Sequence, residues 1–223
     1  MSTKIILLGS SGMIGGGALI QALADPNVSE VLIINRKSIG KSHPKLKEII
    51  HTDFYNIKPI APHLAGYDAV LFCLGQSAVG MKEADYHKIT YELTLGFANE
   101  MLAINPGMRF IYVSGASTDA TEKGNTMWAR VKGKTENALL RLPFKSVHMF
   151  RPGYIQPRKG IRSKTGWYNL IYTIFFPLYF ILYPFKGIVT DTTRLGKALV
   201  RVGMNGSEKK IIEQRDINRI AEQ

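Results

Sequence analysis

Short segments with the character of buried strands alternate along this chain with longer segments of helical periodicity. The strand-like segments cover residues 5–8, 31–34, 48–52, 68–75, 109–115 and 146–153. Four consecutive apolar residues at 5–8, and again at 31–34, are typical of strands that are covered on both faces, as in a parallel sheet. The pattern therefore predicts a sheet with most of its strands in the interior.

Helical segments fill the gaps between these strands. They are predicted at residues 13–24, 83–104, 127–140 and 190–199, and the tail 209–220 has the pattern of a last short strand and helix. Asp25-Pro26 and Asn105-Pro106-Gly107 end the first two of these helices. The repeated strand–helix alternation predicts one α/β domain with a doubly wound parallel sheet, helices on both faces and right-handed crossovers.

A glycine-rich turn follows the first strand and leads into the first helix. Gly9, Gly12 and Gly15 are spaced by three, which differs from the standard G-x-G-x-x-G fingerprint of dinucleotide sites. We expect Gly9 to allow the tight turn, Gly12 to allow a pyrophosphate to approach the backbone closely, and Gly15 to allow the helix to pack closely on the strand. Backbone N–H groups at a helix N-terminus suit a phosphate. The residues predicted to bind a cofactor here are Gly9, Ser11, Gly12, Met13, Ile14 and Gly15.

The second strand ends in Asn35, Arg36 and Lys37, where a site for NAD would carry an acidic residue. No acid stands there, and the two cations can pair with a 2′-phosphate. The sequence therefore predicts a preference for NADP(H) over NAD(H). A solvated loop cation without a ligand is the alternative interpretation of Arg36.

The other strands also end in residues that suit a ligand. Asp53 stands at the end of the third strand, close to where an adenine would lie, and a turn-forming aspartate is an equal alternative. Leu74 and Gly75 stand at the carboxyl end of the fourth strand segment, and Pro152 at that of the sixth. Because ligands of such sheets bind outside the carboxyl ends of the strands, we expect these positions to lie at one edge. Their convergence is the main argument from sequence for a cofactor site.

The excess of basic residues fits several kinds of binding partner and does not select one of them. The 223 residues include 29 Lys and Arg against 17 Asp and Glu, a formal net charge of +12. An anionic cofactor, an anionic membrane surface and an ordinary solvated basic surface all fit this excess. Nucleic acid is not expected as a partner, since no base-reading motif or interleaving of basic and aromatic residues is present.

The numbers and spacing of cysteine and histidine bear on where the protein is located and on whether it binds a metal. Cys73 is the only cysteine, and the five histidines show no metal-ligand spacing, so no metal site is expected. The chain starts directly with a strand, which speaks against a cleavable signal peptide. These features lead to the expectation of a cytoplasmic protein, with membrane association as a further option.

An uncharged and strongly aromatic segment covers residues 167–185. We interpret it first as a helical hairpin over an apolar pocket, which would make the substrate small and hydrophobic. A surface for peripheral membrane contact or self-association is the second interpretation, and a spanning helix is the third. Pro177 in the middle of the segment and the globular pattern after it speak against the span.

Four motifs resemble the atypical and extended branch of the short-chain dehydrogenase/reductase superfamily. They are Gly9-Ser10-Ser11-Gly12-Met13-Ile14-Gly15, Tyr112-Val113-Ser114-Gly115-Ala116-Ser117, Val131-Lys132-Gly133-Lys134-Thr135-Glu136 and Arg151-Pro152-Gly153-Tyr154. The nearest likeness is to small NmrA-like and TIP30-like proteins of the NAD-dependent epimerase/dehydratase type. The resemblance implies a Rossmann-type sheet over residues 1–223, with 153–190 as a small variable substrate lobe.

The resemblance also implies a catalytic device, from which this chain departs. The family places a tyrosine four residues before a lysine on one helix, and a serine or threonine assists them. Lys132 matches the lysine, which would also hold the nicotinamide ribose, and Ser114 stands in the turn of the serine, although an alternative alignment puts Gly115 there. Trp128 takes the place of the tyrosine, and an indole has no acid–base equilibrium near neutral pH.

Two functions remain open at this point. In the first, the protein is an NADP(H)-dependent oxidoreductase or epimerase that uses Tyr154 or water in place of the missing acid. In the second, it binds NADP(H) without turnover and acts as a sensor or scaffold, as the NmrA-like resemblance implies. Lys132, Ser114 and Tyr154 are the catalytic candidates under the first hypothesis.

Overall fold

Parallel strands form the central sheet of the computed structural model, which describes residues 2–158, 187 and 189–223. In chain order the strands are β1 (Thr3–Leu8), β2 (Val28–Asn35), β3 (Leu46–Ile50), β4 (Ala69–Phe72), β5 (Arg109–Val113), β6 (Ser146–Arg151), β7 (Tyr154–Gln156), β8 (Val189–Asp191) and β9 (Ile211–Glu213). Seven of them pair in the order β3-β2-β1-β4-β5-β6-β9, and every pairing is parallel. The predicted doubly wound sheet is confirmed.

Helices cover both faces of this sheet. They are α1 (Met13–Ala24), α2 (Glu83–His87), α3 (Leu93–Ile104), α4 (Met127–Leu139), α5 (Thr192–Asn205) and α6 (Gln214–Glu222), and a 3₁₀ helix spans Lys58–His63. On one face, α1, α5 and α6 pack with Ile5 and Leu7 of β1. On the other face, α3 and α4 pack with Ile6 and Leu8. Successive residues of β1 therefore enter two different cores, which is why the apolar run has no polar member.

The helix boundaries follow from local chemistry at several points. Asp191 caps α5, because its side chain accepts hydrogen bonds from the backbone N–H groups of Thr193 (2.9 Å) and Arg194 (2.8 Å). The long helix expected at 83–104 is present, but a π-helical turn at Lys88–Glu92 joins α2 to α3. The third strand begins and ends two residues earlier than the segment 48–52 predicted for it.

A second small sheet was not predicted from the sequence. It consists of β7 and β8, which pair in parallel with Tyr154 opposite Val189. The apolar residues 167–185 and most of the predicted lobe 153–190 fall between these two strands, in residues 159–186 and 188, which lie outside the described part of the chain. The three interpretations of 167–185 therefore stay predictions. The described helices include none with the length and apolar character that crossing a bilayer requires.

Candidate functional site

Gly9 makes the tight turn between β1 and α1. Its φ of +80° lies in the left-handed region, and a Cβ at this position would stand 2.6 Å from the carbonyl oxygen of Cys73. The turn is closed by a hydrogen bond of 2.8 Å from the Gly12 N–H to the Gly9 carbonyl oxygen. Gly15 then lets α1 pack against the turn, since a Cβ there would stand 2.2 Å from the same Gly9 oxygen.

The N-terminus of α1 is open to an anion. Gly12 is its N-cap residue and provides no side-chain cap, and the first turn of the helix contains no acidic residue. The orphan N–H groups of a helix N-terminus carry a partial positive charge, so a phosphate group is the natural ligand of this turn.

A cavity of about 660 Å³ lies at the carboxyl edge of β1, β2, β3 and β4, in front of this turn. Its predicted lining residues are Gly9, Ser11, Gly12, Arg36, Asp53, Leu74 and Gly75. The lining residues that were not predicted to bind a cofactor are Ile34, Asn35, Thr52, Phe54, Tyr55, Cys73, Gln76, Ser77, Ile89 and Leu93. The structure thus brings together residues from four strand ends, as the edge argument requires.

The remaining cofactor candidates lie outside the lining of this cavity. Met13 and Ile14 are partly buried and pack against the core, Gly15 is buried, and Lys37 is exposed on the loop after β2. Pro152 is buried, and its carbonyl oxygen accepts a 2.8 Å hydrogen bond from the Ala116 N–H, which holds the loops after β5 and β6 together.

Asn35 occupies the end of β2 in a buried network. Its Oδ1 accepts a hydrogen bond of 2.9 Å from Ser10 Oγ, and its Nδ2 donates one of 2.9 Å to Glu48 Oε1. Burial opposes ionisation of the Glu48 carboxyl, yet hydrogen bonds from Ser38, Asn35 and the Ile39 N–H lower its pKa below the ordinary value. Glu48, the first residue of the strand predicted at 48–52, was not singled out from the sequence.

The opposite wall of the cavity involves the π-helical turn. Tyr55 lines the cavity, and its hydroxyl donates a hydrogen bond of 3.3 Å to the carbonyl oxygen of Lys88, the first residue of that turn. Ile89 and Leu93 face the cavity from the same region. Asp53 Oδ1 accepts a 3.0 Å hydrogen bond from the Tyr55 N–H, so this carboxylate also shapes the wall.

Lys132 and Ser114 lie near each other but outside the cavity lining. Lys132 Nζ donates a hydrogen bond to the Ser114 carbonyl oxygen, and burial lowers the pKa of Lys132 to about 8 although the charge of Glu136 opposes the shift. The Ser114 hydroxyl points inward, 2.5 Å from Glu136 Oε1 and 3.1 Å from the Phe150 carbonyl oxygen. Because the buried Glu136 carboxylate takes the hydroxyl as a donor, this geometry does not support Ser114 as a group that faces substrate.

Trp128 lies where the resemblance places the tyrosine. A Cβ at Gly115 would be 4.0 Å from Trp128 Cζ3, so the indole lies against the turn after β5. Tyr154, the alternative acid, donates a hydrogen bond of 2.7 Å from its hydroxyl to Gln156 Oε1. Burial raises the pKa of Tyr154, which makes it a weaker acid than an ordinary tyrosine. Among the described residues, no group of three or more His, Cys, Asp and Glu side chains is placed to hold a metal ion.

Comparisons of the sequence with known proteins identify its family. Residues 5–128 match the family model described as the NAD dependent epimerase/dehydratase family. Protein fmp52 of Emericella nidulans is 30% identical over 159 residues, which is 68% of this chain and 66% of that protein. Protein fmp52-2 of Aspergillus oryzae is 24% identical over 98% of this chain and 96% of its own length, and HTATIP2 of Rattus norvegicus is 24% identical over 68% and 62%.

Solved structures with the same fold have lower sequence identity. WbmH of Bordetella bronchiseptica, in complex with NAD⁺, has a TM-score of 0.67 and 17% identity, over 96% of this chain and 75% of that one. DesIV of Streptomyces venezuelae, a dTDP-glucose 4,6-dehydratase with NAD bound, has a TM-score of 0.69 and 16% identity, over 98% and 80%. These likenesses support the same doubly wound α/β fold.

The relatives also correct one expectation. The fmp52 proteins are named as mitochondrial, and this finding contradicts the cytoplasmic location that the sequence led us to expect. Cysteine content reports on redox conditions, which do not distinguish the reducing compartments inside a cell. The resemblance to short-chain dehydrogenases/reductases is confirmed. Because the family model matches more than half of this chain, the chain belongs to the NAD-dependent epimerase/dehydratase family.

Proposed function

We propose that this protein binds NADP(H) in the cavity of about 660 Å³ and acts as an oxidoreductase or epimerase on a small hydrophobic carbonyl or alcohol substrate. The observation that carries the proposal is the uncapped N-terminus of α1 behind Gly9 and Gly12, with Arg36 at the same edge. NAD is the dinucleotide bound in WbmH and DesIV. The hydrophobic class of substrate rests on the composition of residues 167–185.

Different groups of residues would contact the pyrophosphate, the 2′-phosphate and the adenine of the dinucleotide. The glycine turn and the first N–H groups of α1 would hold the pyrophosphate, and Arg36 with Lys37 would hold the 2′-phosphate. Asp53 and Tyr55 would border the adenine, and the backbone at Leu74 and Gly75 would pass close to the ligand. Bound in this way, the nicotinamide would supply a hydride donor or acceptor.

The preference for NADP(H) is tested by removing Arg36. In Arg36→Ala, we expect the dissociation constant of NADPH to rise about tenfold while that of NADH changes less than about twofold, because only NADPH carries the 2′-phosphate. Titration of the reduced cofactors by fluorescence measures both constants.

The comparison variant for this test is Lys37→Ala, which removes a cation of the same loop that does not line the cavity. We expect a smaller loss of NADPH affinity there. An unchanged ratio of the two dissociation constants in Arg36→Ala would remove the basis for the NADP(H) preference.

The catalytic step depends on how the protein replaces the missing tyrosine. Lys132 is half-buried, and the loss of water around its ammonium lowers its pKa to about 8, so it could hold a ribose hydroxyl or relay a proton near neutral pH. Trp128 cannot donate a proton to a developing alkoxide, so Tyr154 or a water molecule would have to do so. The second candidate function, a sensor that binds NADP(H) without turnover, is favoured by the same tryptophan and by the inward-turned Ser114 hydroxyl.

Turnover separates the two functions. With a panel of hydrophobic aldehydes and ketones, we expect slow NADPH consumption that falls at least about a hundredfold in Lys132→Met. Trp128→Tyr restores the tyrosine–lysine spacing of the family and is expected to raise the rate at least about tenfold. Absorbance at the reduced nicotinamide band measures the rate.

The sensor hypothesis gives a different result in the same experiment. It requires NADPH binding by the wild-type protein, no consumption above background across the panel, and no gain of rate in Trp128→Tyr. Binding must be measured beside the rate, because a protein that binds no dinucleotide contradicts both functions.

A further inference from the structure

Glu48 brings a carboxylate to the end of β2, although β2 itself ends without an acid. It lies on β3, opposite Ile33 of β2 in the parallel register. Its Oε1 accepts hydrogen bonds from Asn35 Nδ2 (2.9 Å) and the Ile39 N–H (3.1 Å), and its Oε2 accepts one of 2.5 Å from Ser38 Oγ. Three donors around one half-buried carboxylate are the environment of a group that stays ionised.

The Glu48 carboxylate is connected to the lining of the cavity through Asn35. Asn35 and Arg36 line the cavity, and Asn35 Oδ1 also accepts the hydrogen bond from Ser10 Oγ in the glycine turn. One chain of side chains therefore connects the turn, the end of β2 and the carboxylate of β3. Glu48 also accepts hydrogen bonds from Ser38 Oγ and the Ile39 N–H, and so holds the loop directly after Arg36 and Lys37.

Two opposite charges are thus connected to the same end of the cavity: Arg36 lines it, and the Glu48 carboxylate, which does not, accepts a hydrogen bond from Asn35, which does. A 2′-phosphate bound at Arg36 would be attracted by the guanidinium and repelled by the half-buried Glu48 carboxylate, whose Oε1 lies 2.9 Å from Asn35 Nδ2. The repulsion would persist because charges that are partly withdrawn from water are screened less than exposed charges. A 2′-hydroxyl carries no charge and escapes this repulsion. The sequence alone conceals this arrangement, since the acid comes from the neighbouring strand.

We propose that Glu48 is a specificity-determining residue of the cofactor site: it supplies from β3 the negative charge that β2 lacks, and so limits the preference for NADP(H) and keeps NAD(H) as a usable cofactor. The inference rests on the proposed dinucleotide function. Under this proposal, the choice between NADP(H) and NAD(H) depends on the opposite charges of Arg36 and Glu48 together and not on either residue alone.

The test compares dissociation constants of NADPH and NADH in wild-type protein, Glu48→Gln and Glu30→Gln. Glutamine keeps the shape and an acceptor for Asn35 but removes the charge. We expect Glu48→Gln to raise the ratio of NADH to NADPH dissociation constants about threefold to tenfold, mainly through tighter NADPH binding, and the gain should shrink as salt is added. Glu30 lies near the other end of β2, paired with Lys47 at 2.7 Å, so Glu30→Gln makes the same charge change away from the cavity and should leave the ratio unchanged.

Ser38→Ala separates charge from loop shape. It removes one contact of the same carboxylate without changing charge, so an altered ratio in Ser38→Ala equal to that in Glu48→Gln would overturn the electrostatic proposal. An unchanged ratio in Glu48→Gln would also overturn it, provided that thermal unfolding shows a folded variant. Wild-type protein that binds neither dinucleotide would refute the proposed function itself, and the Glu48 proposal with it, whereas tight binding with an unmoved ratio would refute the Glu48 proposal alone.

Discussion

Replacing Arg151 with methionine is expected to lower the free energy of unfolding by about 3–5 kcal/mol. The side chain of Arg151 is 14% exposed, and that of its partner Glu136 is 1% exposed. Arg151 Nε lies 3.0 Å from Glu136 Oε1, and one of its terminal nitrogens lies 2.5 Å from Oε2. Methionine fills a similar volume but leaves the buried carboxylate without its cation, and an unpaired buried charge is costly.

The position of this ion pair explains why its loss should also reach the site. Glu136 accepts from Ser114 after β5, and Arg151 at the end of β6 also pairs with Glu213 of β9 at 3.2 Å. The pair therefore connects the ends of β5, β6 and β9, next to the turn whose Ser114 carbonyl oxygen accepts a hydrogen bond from Lys132. A looser turn at Ser114 is expected to weaken the hold on the Lys132 ammonium.

Urea unfolding measures the stability change, with Arg130→Met as the matched control. Arg130 also pairs with a glutamate, at 2.8 Å, but Glu83 is 51% exposed, and exposed pairs contribute at most about 1 kcal/mol. The double variant Glu136→Gln/Arg151→Met should recover about half of the loss, because it removes the unpaired charge. A loss in Arg151→Met no larger than that in Arg130→Met would contradict this account.

The fold could be predicted because its signals are local. The run Ile5–Leu8 contains no polar residue since alternate side chains enter two cores, and the cap at Asp191 uses atoms two and three residues away. The glycine spacing predicted where the turn lies, and of the six residues predicted there Gly9, Ser11 and Gly12 line the cavity. Such features depend on neighbouring residues in the chain and are therefore visible in the sequence.

The parts of the site that escaped prediction depend on contacts between distant residues. Glu48 meets Asn35 only because β2 and β3 pair in one particular register. The Ser114 hydroxyl turns inward because Glu136, on a helix that follows it, is buried and needs donors. The pairing of β7 with β8 brings together strands of three residues from either side of a long insertion, and three residues carry too little pattern to be recognised.

The tightest contact in the glycine turn gives a second large expected effect. Gly15→Ala would place a Cβ 2.2 Å from the Gly9 carbonyl oxygen and 2.5 Å from the carbonyl carbon, so α1 must move away from the turn. Backbone atoms cannot rotate aside as a flexible side chain does. We expect a loss of about 3 kcal/mol in the free energy of unfolding, at the upper end of the usual cost of overpacking, and at least about tenfold weaker binding of NADPH. Urea unfolding and fluorescence titration measure the two effects.

Gly16→Ala is the control for this prediction, because it adds the same methyl group one position further along the same helix. Its Cβ would lie 3.4 Å from the Ser10 carbonyl oxygen, which is an ordinary contact distance. Alanine is also a better helix former than glycine by about 1 kcal/mol, so stability should stay level or rise. If both variants lose stability equally, the damage comes from altering the helix in general. If only Gly15→Ala loses it, the cost belongs to the approach of α1 to Gly9, the contact that aims the helix N-terminus at the cavity.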